Sequence, residues 1–379
     1  MLRIAIDAHM IGTRETGNEV YTLNLVRGLQ RVDAVNSYHL LTDDAGRLRR
    51  VVTGSERFRV VEVWPGGNLF RIPFAMPYAA WRARVDALHV TYNAPPLSPC
   101  PTVVTVHDIS FALFPDHFSP RDRLVLSTLV PLSMRRARHV LTLTAAGRRD
   151  ILTRYGLPPE RVTAIPLAAS PLFRPLKHDA EMQATLARYG INGPFILAVG
   201  NLQPRKNLPR LVEAFGRVRA AGETDLQLVI VGQAQWQASG VYAAVQRHGL
   251  EGRVVFTGYV PDDDLVRLYN AASVFVYPSL YEGFGLPLLE AMACGTPVVA
   301  SDVGAVAEVC GDAALLAPPT DVDALAGAVL NVLRHEGLRA DLQARGRQRA
   351  AQFSWDETAR RTLAVYAHVA QTFQSARAG

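Results

Sequence analysis

Two glutamates flank a glycine-rich turn in the run Tyr281-Glu282-Gly283-Phe284-Gly285-Leu286-Pro287-Leu288-Leu289-Glu290. Pro287 suits the start of a helix and Gly295 its close. The backbone N–H groups of Gly283 to Leu286, together with that helix N-terminus, would cradle an anion. Carboxylates repel phosphate, so Glu282 and Glu290 are expected to accept hydrogen bonds from sugar hydroxyls, Glu290 from a ribose diol and Glu282 from a transferred hexose. Hydroxyls left unpaired cost affinity, so such acceptors select their ligand. The plainer alternative makes Glu290 a first-turn residue that stabilises the helix dipole. A second run, Val199-Gly200-Asn201-Leu202-Gln203-Pro204-Arg205-Lys206-Asn207-Leu208, sets two cations just before another helix. Cations at a positive helix end are unfavourable unless an anion neutralises them. A diphosphate does so, gripped by Arg205 as a fork and by Lys206 as a point charge; the alternative is an exposed basic loop. A third run, Thr102 to Ile109, is apolar and ends in His107-Asp108. A fourth, Thr16-Gly17-Asn18-Glu19-Val20-Tyr21, opens a helix at which Gly17 lets backbone approach a ligand. Asn18 and Glu19 read as its caps, with acceptor contact as the alternative.

Each of these segments lies where a strand gives way to a helix. Strand-like runs rich in Val, Ile and Leu occur at Arg3–Ala8, Tyr38–Thr42, Arg59–Trp64, Asp86–Val90, Thr102–Ile109, His139–Thr144 and Val162–Pro166. They recur at Phe195–Gly200, Leu226–Gly232, Val254–Val260, Val274–Pro278, Val298–Ser301 and Ala314–Ala317. Helical periodicity separates them, as at Tyr21, Leu25, Gly28 and Leu29, and over Leu208–Ala220, Asp264–Ala272 and Asp323–Arg334. Alternating β and α implies parallel sheets with crossover helices, buried on both faces. The prolines in Ala168 to Pro175 break both periodicities before a second series begins. The expected organisation is α/β, two doubly wound Rossmann-like domains facing a central cleft. These are an N-terminal domain over 1–170, a C-terminal domain over 171–352, and a final helix over 353–379 that crosses back to the first. Ligands of such sheets bind beyond the strands' carboxyl ends, which would turn His107 toward the cleft.

Composition narrows the function. A chain of 379 residues, 49% hydrophobic, is long enough for two cores. The longest apolar stretch, Leu286 to Ala300, is interrupted by Glu290, Gly295 and Pro297, so no bilayer span is expected. Met1 to Asp7 reads as a strand rather than a signal peptide. Three cysteines, Cys100, Cys294 and Cys310, form no C-x-x-C pair and suit a reducing, cytoplasmic setting. Residues 1–170 hold 21 Arg, no Lys and 14 acidic residues, a balance of +7; the remainder holds 19 basic and 20 acidic, a balance of −1. A basic N-terminal half favours an anionic acceptor or peripheral contact with an anionic inner membrane surface, with Arg135, Arg136, Arg138, Arg148 and Arg149 as first contacts. The alternative is a solvated arginine-rich surface. Asp262-Asp263-Asp264 follows Pro261 at a helix start, so capping rather than metal binding is expected. The aromatic stretch Leu69, Phe70, Phe74, Tyr78 and Trp81, with Arg71, Arg82 and Arg84, is expected to pack in the core, with a membrane-surface segment as the alternative. No G-x-G-x-x-G follows either domain's first strand, which sets aside a dinucleotide oxidoreductase. No basic–aromatic recognition motif points to nucleic acid.

The glutamate segment resembles the E-x7-E signature of retaining glycosyltransferase family four, the group 1 glycosyltransferases, which have the GT-B fold. Tyr269-Asn270-Ala271-Ala272-Ser273, Pro278-Ser279 and Ala291-Met292-Ala293-Cys294-Gly295-Thr296-Pro297-Val298-Val299 extend the likeness, which runs from Ile6-Asp7 to Phe353-Ser354-Trp355. The resemblance implies that Glu282 contacts the donor sugar, that Glu290 binds the nucleotide ribose, and that the amides of Phe284 and Gly285 approach the sugar and diphosphate. It places His107 beside the reacting sugar and gives Asp108 no nucleophilic role. In many members an Arg directly follows the strand's glycine; here Asn201 follows Gly200 and the arginine is displaced to Arg205, so Lys206 carries over more securely. The glycine turn is reduced to Gly12 and Gly17. The resemblance further implies same-face substitution. The diphosphate would leave as the acceptor attacks, without metal or any cofactor beyond the nucleotide-sugar donor. Pro204-Arg205-Lys206-Asn207 looks most like mannosyltransferases of surface-polysaccharide pathways, which implies guanosine-diphosphate mannose as donor and a glycan or lipid-linked acceptor. A sugar phosphorylase or sugar-phosphate synthase on the same fold, or a non-catalytic anion-binding protein, are the alternatives.

Overall fold

The computed structural model describes residues 1–13, 16–52, 55–235 and 238–378. The chain forms two compact units: Met1–Ile109 with Arg121–Leu167 and Ser354–Gly379, and Ser110–Pro120 with Ala168–Phe353. In the first unit the strands are β1 (Arg3–Asp7), β2 (Ser37–Thr42), β3 (Phe58–Glu62), β4 (Ala87–Thr91), β5 (Thr102–Thr105), β6 (His139–Thr142) and β7 (Val162–Ala164). They form one sheet in the order β3-β2-β1-β4-β5-β6-β7, parallel throughout. In the second unit β8 (Phe195–Val199), β9 (Gln227–Val231), β10 (Val254–Gly258), β11 (Val274–Tyr277), β12 (Val298–Ser301) and β13 (Leu315–Ala317) form a second parallel sheet, in the order β10-β9-β8-β11-β12-β13. Both sheets reverse direction of winding once, between β1 and β4 and between β8 and β11. That reversal opens a crevice at the strands' carboxyl ends, where doubly wound sheets bind ligands.

The central strands are buried on both faces because they alternate nothing: Ile4, Ala5 and Ile6, or Leu228, Val229 and Ile230, are all shielded from water. Helices cover them with apolar stripes. In Leu208–Ala220 the buried residues Leu208, Leu211, Val212, Phe215 and Val218 follow the helical repeat. Asp321 caps the helix Val322–Arg334 by accepting a hydrogen bond from Ala324 N at 2.9 Å. In the first unit the helix Thr16–Val32 packs on the long helix Trp355–Ala378, although more than three hundred residues separate them in sequence. Gly28 permits the approach: a Cβ there would sit 2.7 Å from Trp355 O. Arg31 and Asp356 pair across the contact at 2.6 Å, and Thr358 Oγ1 donates to Pro166 O at 2.7 Å. Among the described residues, no helix is long and apolar enough to cross a membrane.

Several local expectations change. β5 ends at Thr105, so His107 lies two residues beyond the strand. Pro261 is the N-cap of Asp262–Ala271 and no side chain caps it. Asp264 instead turns inward and accepts from Arg188 Nη1 at 2.7 Å and Tyr189 Oη at 2.8 Å, so capping does not explain it. The aromatic stretch is not core. Leu69, Phe70, Phe74, Tyr78 and Trp81 all face water, while Arg71, Ala75, Met76 and Ala80 are buried. The Arg71 guanidinium, paired with Asp7 at 2.6 Å, takes the inward position instead.

Candidate active site

The crevice of the second sheet brings together two loops, one after β8 and one after β11. After β8, Pro204–Lys206 forms a single 3-10 turn, and Asn207 adopts the left-handed region at φ 58° before the helix Leu208–Ala220. Asn207 holds that conformation through its side chain: Nδ2 donates to Pro278 O at 3.0 Å and to Pro319 O at 2.7 Å, and Oδ1 accepts from Arg210 at 2.7 Å. The turn aims Arg205 and Lys206 at Glu282. Lys206 Nζ lies 2.8 Å from Glu282 Oε1 and also donates to Tyr277 Oη at 2.8 Å. Arg205 Nη1 lies 2.7 Å from Glu282 Oε2 and donates to Tyr281 O at 2.8 Å. Gly200 leaves space for the lysine stem, since a Cβ there would meet Lys206 Cε at 2.9 Å.

Glu282 is 7% exposed. Burial would raise its pKa, but the Arg205 and Lys206 cations overcome that and hold it at about 2. The cluster thus carries two positive charges and one negative, mostly out of water. Gly285, at φ 92°, ends the loop and caps the helix Leu286–Cys294; a Cβ there would meet Leu288 Cδ1 at 2.7 Å. Glu290 is the fifth residue of this helix, past the first turn, so the helix-dipole alternative does not account for it. Its Oε2 accepts from Tyr269 Oη at 3.0 Å. Burial lifts its pKa to about 8, against the lowering effect of that hydrogen bond, and Asp262 adds to the rise. In the unliganded protein at neutral pH Glu290 is therefore mainly a carboxylic acid. Beside Arg205 lies His117, whose pKa burial and then the Arg205 charge depress, and Phe114, whose ring centroid is 5.8 Å from that of Tyr281.

A second polar cluster lies in the first unit, around the end of β5. His89, on β4, has Nδ1 2.5 Å from Tyr366 Oη and Nε2 2.7 Å from Thr105 Oγ1. Tyr21 Oη is 2.9 Å from the same Thr105 oxygen, and its ring meets His107 edge-on at 4.8 Å. Tyr92 packs on His107 at 5.6 Å between ring centroids. Burial pushes His89 down to about 3 and His107 down to about 4, so both are neutral. His107 Nε2 is buried and has no hydrogen-bond partner among the described residues. Gly17 is the second residue of the helix Thr16–Val32, exposed, with open space where a Cβ would be. Glu19 reaches back to accept from Gly12 N at 2.7 Å.

Arg205, Lys206 and Glu282 thus meet, and Tyr21 ties the Gly17 segment to His107. Glu290 joins Tyr269 rather than the cation cluster. Sequence reasoning missed Tyr277, Tyr269 and Asn207, and it missed His89, Thr105 and Tyr366. A histidine inside the apolar strand Ala87–Thr91 was the available signal, because a buried polar side chain requires partners. Among the described residues, no three His, Cys, Asp or Glu side chains form a metal set.

The sequence matches Glycosyl transferases group 1 over residues 186–349 and Glycosyltransferase Family 4 over residues 16–170. It is 38% identical over 266 residues to O-antigen chain mannosyltransferase B of Escherichia coli, covering 70% of this chain and 69% of that protein. It is 30% identical over 247 residues to the serotype-specific mannosyltransferase WbdA of the same organism, covering 64% of this chain but only 30% of that one. The fold is similar to that of a sucrose-phosphate synthase from Thermosynechococcus elongatus, with a TM-score of 0.78 at 24% identity over 99% of this chain and 100% of that one.

Proposed function

The chain belongs to glycosyltransferase family 4, group 1, with the GT-B fold, and from that premise we propose that it is a retaining, metal-independent hexosyltransferase of surface-polysaccharide or glycolipid synthesis. The donor is a nucleotide-diphosphate sugar held by the second unit, with guanosine-diphosphate mannose the first choice given the mannosyltransferase relatives. The acceptor is a glycan or lipid-linked glycan handled by the basic first unit, which would bring the protein to the inner membrane surface as a peripheral visitor. One observation carries the reading: Arg205 and Lys206 converge on the Glu282 carboxylate at the sheet's reversal point, where doubly wound sheets bind ligands.

In this reading Glu282 stands in for the donor's phosphates. An arriving diphosphate takes over Arg205 and Lys206, and the freed carboxylate accepts a hydroxyl of the sugar. The acceptor oxygen then bonds to the anomeric carbon on the face the diphosphate leaves. As the carbon–oxygen bond to phosphate breaks, a phosphate oxygen takes the acceptor's proton. The two cations stabilise the growing charge on the leaving group, a role metals fill elsewhere. Glu282 is occupied by a sugar hydroxyl in this reading and is not assigned as a nucleophile, which favours same-face substitution over a glycosyl-enzyme. His107, neutral with a bare Nε2, is assigned to the transferred sugar, and Glu290 to the ribose. The amides of Gly283, Phe284, Gly285 and Leu286 are assigned to the sugar and diphosphate, and Gly17 to the same ligand or the acceptor.

The test is turnover across a panel of nucleotide sugars with EDTA present, with the product's anomeric configuration read by NMR. Transfer from guanosine-diphosphate mannose with retention is expected. Activity restored only by magnesium or manganese overturns the cation-clamp reading, and sugar phosphate formed only when phosphate replaces the acceptor favours a phosphorylase.

A further inference from the structure

We propose that the aromatic face of residues 64–82 docks the protein on an anionic lipid bilayer. This extends the lipid-linked acceptor reading, but it stands on separate observations. Trp64 is 85% exposed, Leu69 77%, Phe74 65% and Trp81 64%, with Phe70 and Tyr78 at least half open to water. All but Trp64, which precedes them in the chain, lie in one short segment, the turns Asn68–Phe70 and Arg71–Ala75 followed by the helix Met76–Arg82.

The segment is inverted with respect to water. Its buried side holds the charge: Arg71 is 1% exposed, its Nη1 2.6 Å from Asp7 Oδ1 and 3.2 Å from Met76 Sδ, and its Nη2 2.8 Å from Asn68 Oδ1. A helix facing only water turns its rings inward and its guanidinium outward. Here the buried ion pair with Asp7, itself bonded to His9 at 2.8 Å, pins the segment from beneath, so the rings are held out rather than left loose. A surface built this way expects a non-aqueous partner.

Its chemistry favours lipid over protein. Between Val63 and Val85 there is no Asp or Glu, whereas Arg82 and Arg84 are exposed at the edge of the rings. Trp and Tyr beside Phe and Leu, with Arg82 and Arg84 at one end, is the composition of an interfacial segment: rings enter the headgroup layer and guanidiniums meet lipid phosphate. The basic balance of residues 1–170 acts in the same direction.

The experiment is vesicle co-sedimentation of the intact protein, using phosphatidylcholine alone and phosphatidylcholine mixed with phosphatidylglycerol, at low and high salt. The parent should sediment with mixed vesicles. The double variant Phe74→Ser/Trp81→Ser should lose about tenfold or more in partitioning at an unchanged melting temperature, and Arg82→Glu/Arg84→Glu should lose the preference for anionic lipid. Transfer to a soluble acceptor should be equal in all three. Parent and ring variant sedimenting alike, or neither sedimenting, overturns the proposal. So does a lipid-free dimer that the ring variant alone dissociates, which assigns the face to a second copy of the chain. Vesicle binding that persists while lipid-linked acceptors go unused would instead overturn the acceptor reading and leave the docking face intact.

Discussion

The two buried polar clusters of this molecule sit in opposite electrical states. In the second unit, Arg205, Lys206 and Glu282 are all ionised, two cations against one anion. Around β5 in the first unit, His89, His107, Thr105, Tyr21 and Tyr366 are all neutral. A charged set can exchange one counter-ion for another, whereas a neutral set holds groups in place. The contrast therefore separates a region that recognises charge from a region that positions atoms.

Lys206→Met strikes the charged cluster hardest. It should lower kcat/KM by about 100-fold to 1000-fold, the loss typical of removing one preorganised charge from a leaving group. Steady-state kinetics with saturating acceptor would check this, and a loss under threefold breaks the distinction between the regions. His107→Ala should lower kcat by about 100-fold while nucleotide affinity stays at the parent value, because misplacement rather than lost binding is the injury. A matching loss of nucleotide affinity on calorimetry would mean that the neutral cluster also recognises charge.

Glu290→Gln should weaken nucleoside binding by about 1–3 kcal/mol. A ribose diol donating to Glu290 favours its carboxylate, so parent affinity should rise with pH up to about 8 with release of a proton. Calorimetry with the free nucleoside in buffers of different ionisation enthalpy reads that proton, and the variant should show none.

A further effect is on stability and has opposite signs in the two regions. His89 and His107 have folded pKa values below the ordinary 6.5, so their contribution is present above 6.5 and lost as pH falls toward about 3 and about 4, respectively. Glu290 is raised above the ordinary 4.5, so its contribution is full below 4.5 and lost as pH rises through about 8. Glu282 keeps its contribution until pH drops below 4.5 toward about 2. Between pH 8 and 5 acidification should therefore loosen the first unit and tighten the second, which amide hydrogen exchange would resolve strand by strand. Tyr366→Phe removes one partner of His89 and should cost about 1 kcal/mol, confined to the first unit.

Strand content was the most legible part of the sequence. Each of the thirteen Val-, Ile- and Leu-rich runs contains a strand, because parallel strands buried on both faces leave unbroken apolar stretches. Their carboxyl ends were read too long, as at Thr102–Thr105, since apolar residues continue into the loops that line the crevice. Arg205, Lys206 and Glu282 were visible as residue types, but their mutual pairing was not, because 76 residues separate Lys206 from Glu282. The link between His89 and Tyr366 spans 277 residues and leaves no local trace. The aromatic stretch lies outside the core although its hydrophobicity alone points to burial. Arg71 is the residue that inverts it, and its partner Asp7 is 64 positions away.

The division of the first unit has a consequence during synthesis. Its sheet is complete by Leu167, yet the helix that covers Gly28, bonds Pro166 and supplies Tyr366 to His89 begins only at Trp355. At about 5–20 residues per second, a ribosome takes roughly ten to forty seconds to make the intervening stretch. The half that is translated first is therefore finished last. Throughout that interval the surface that the helix will cover stays open, while the second unit is still being made.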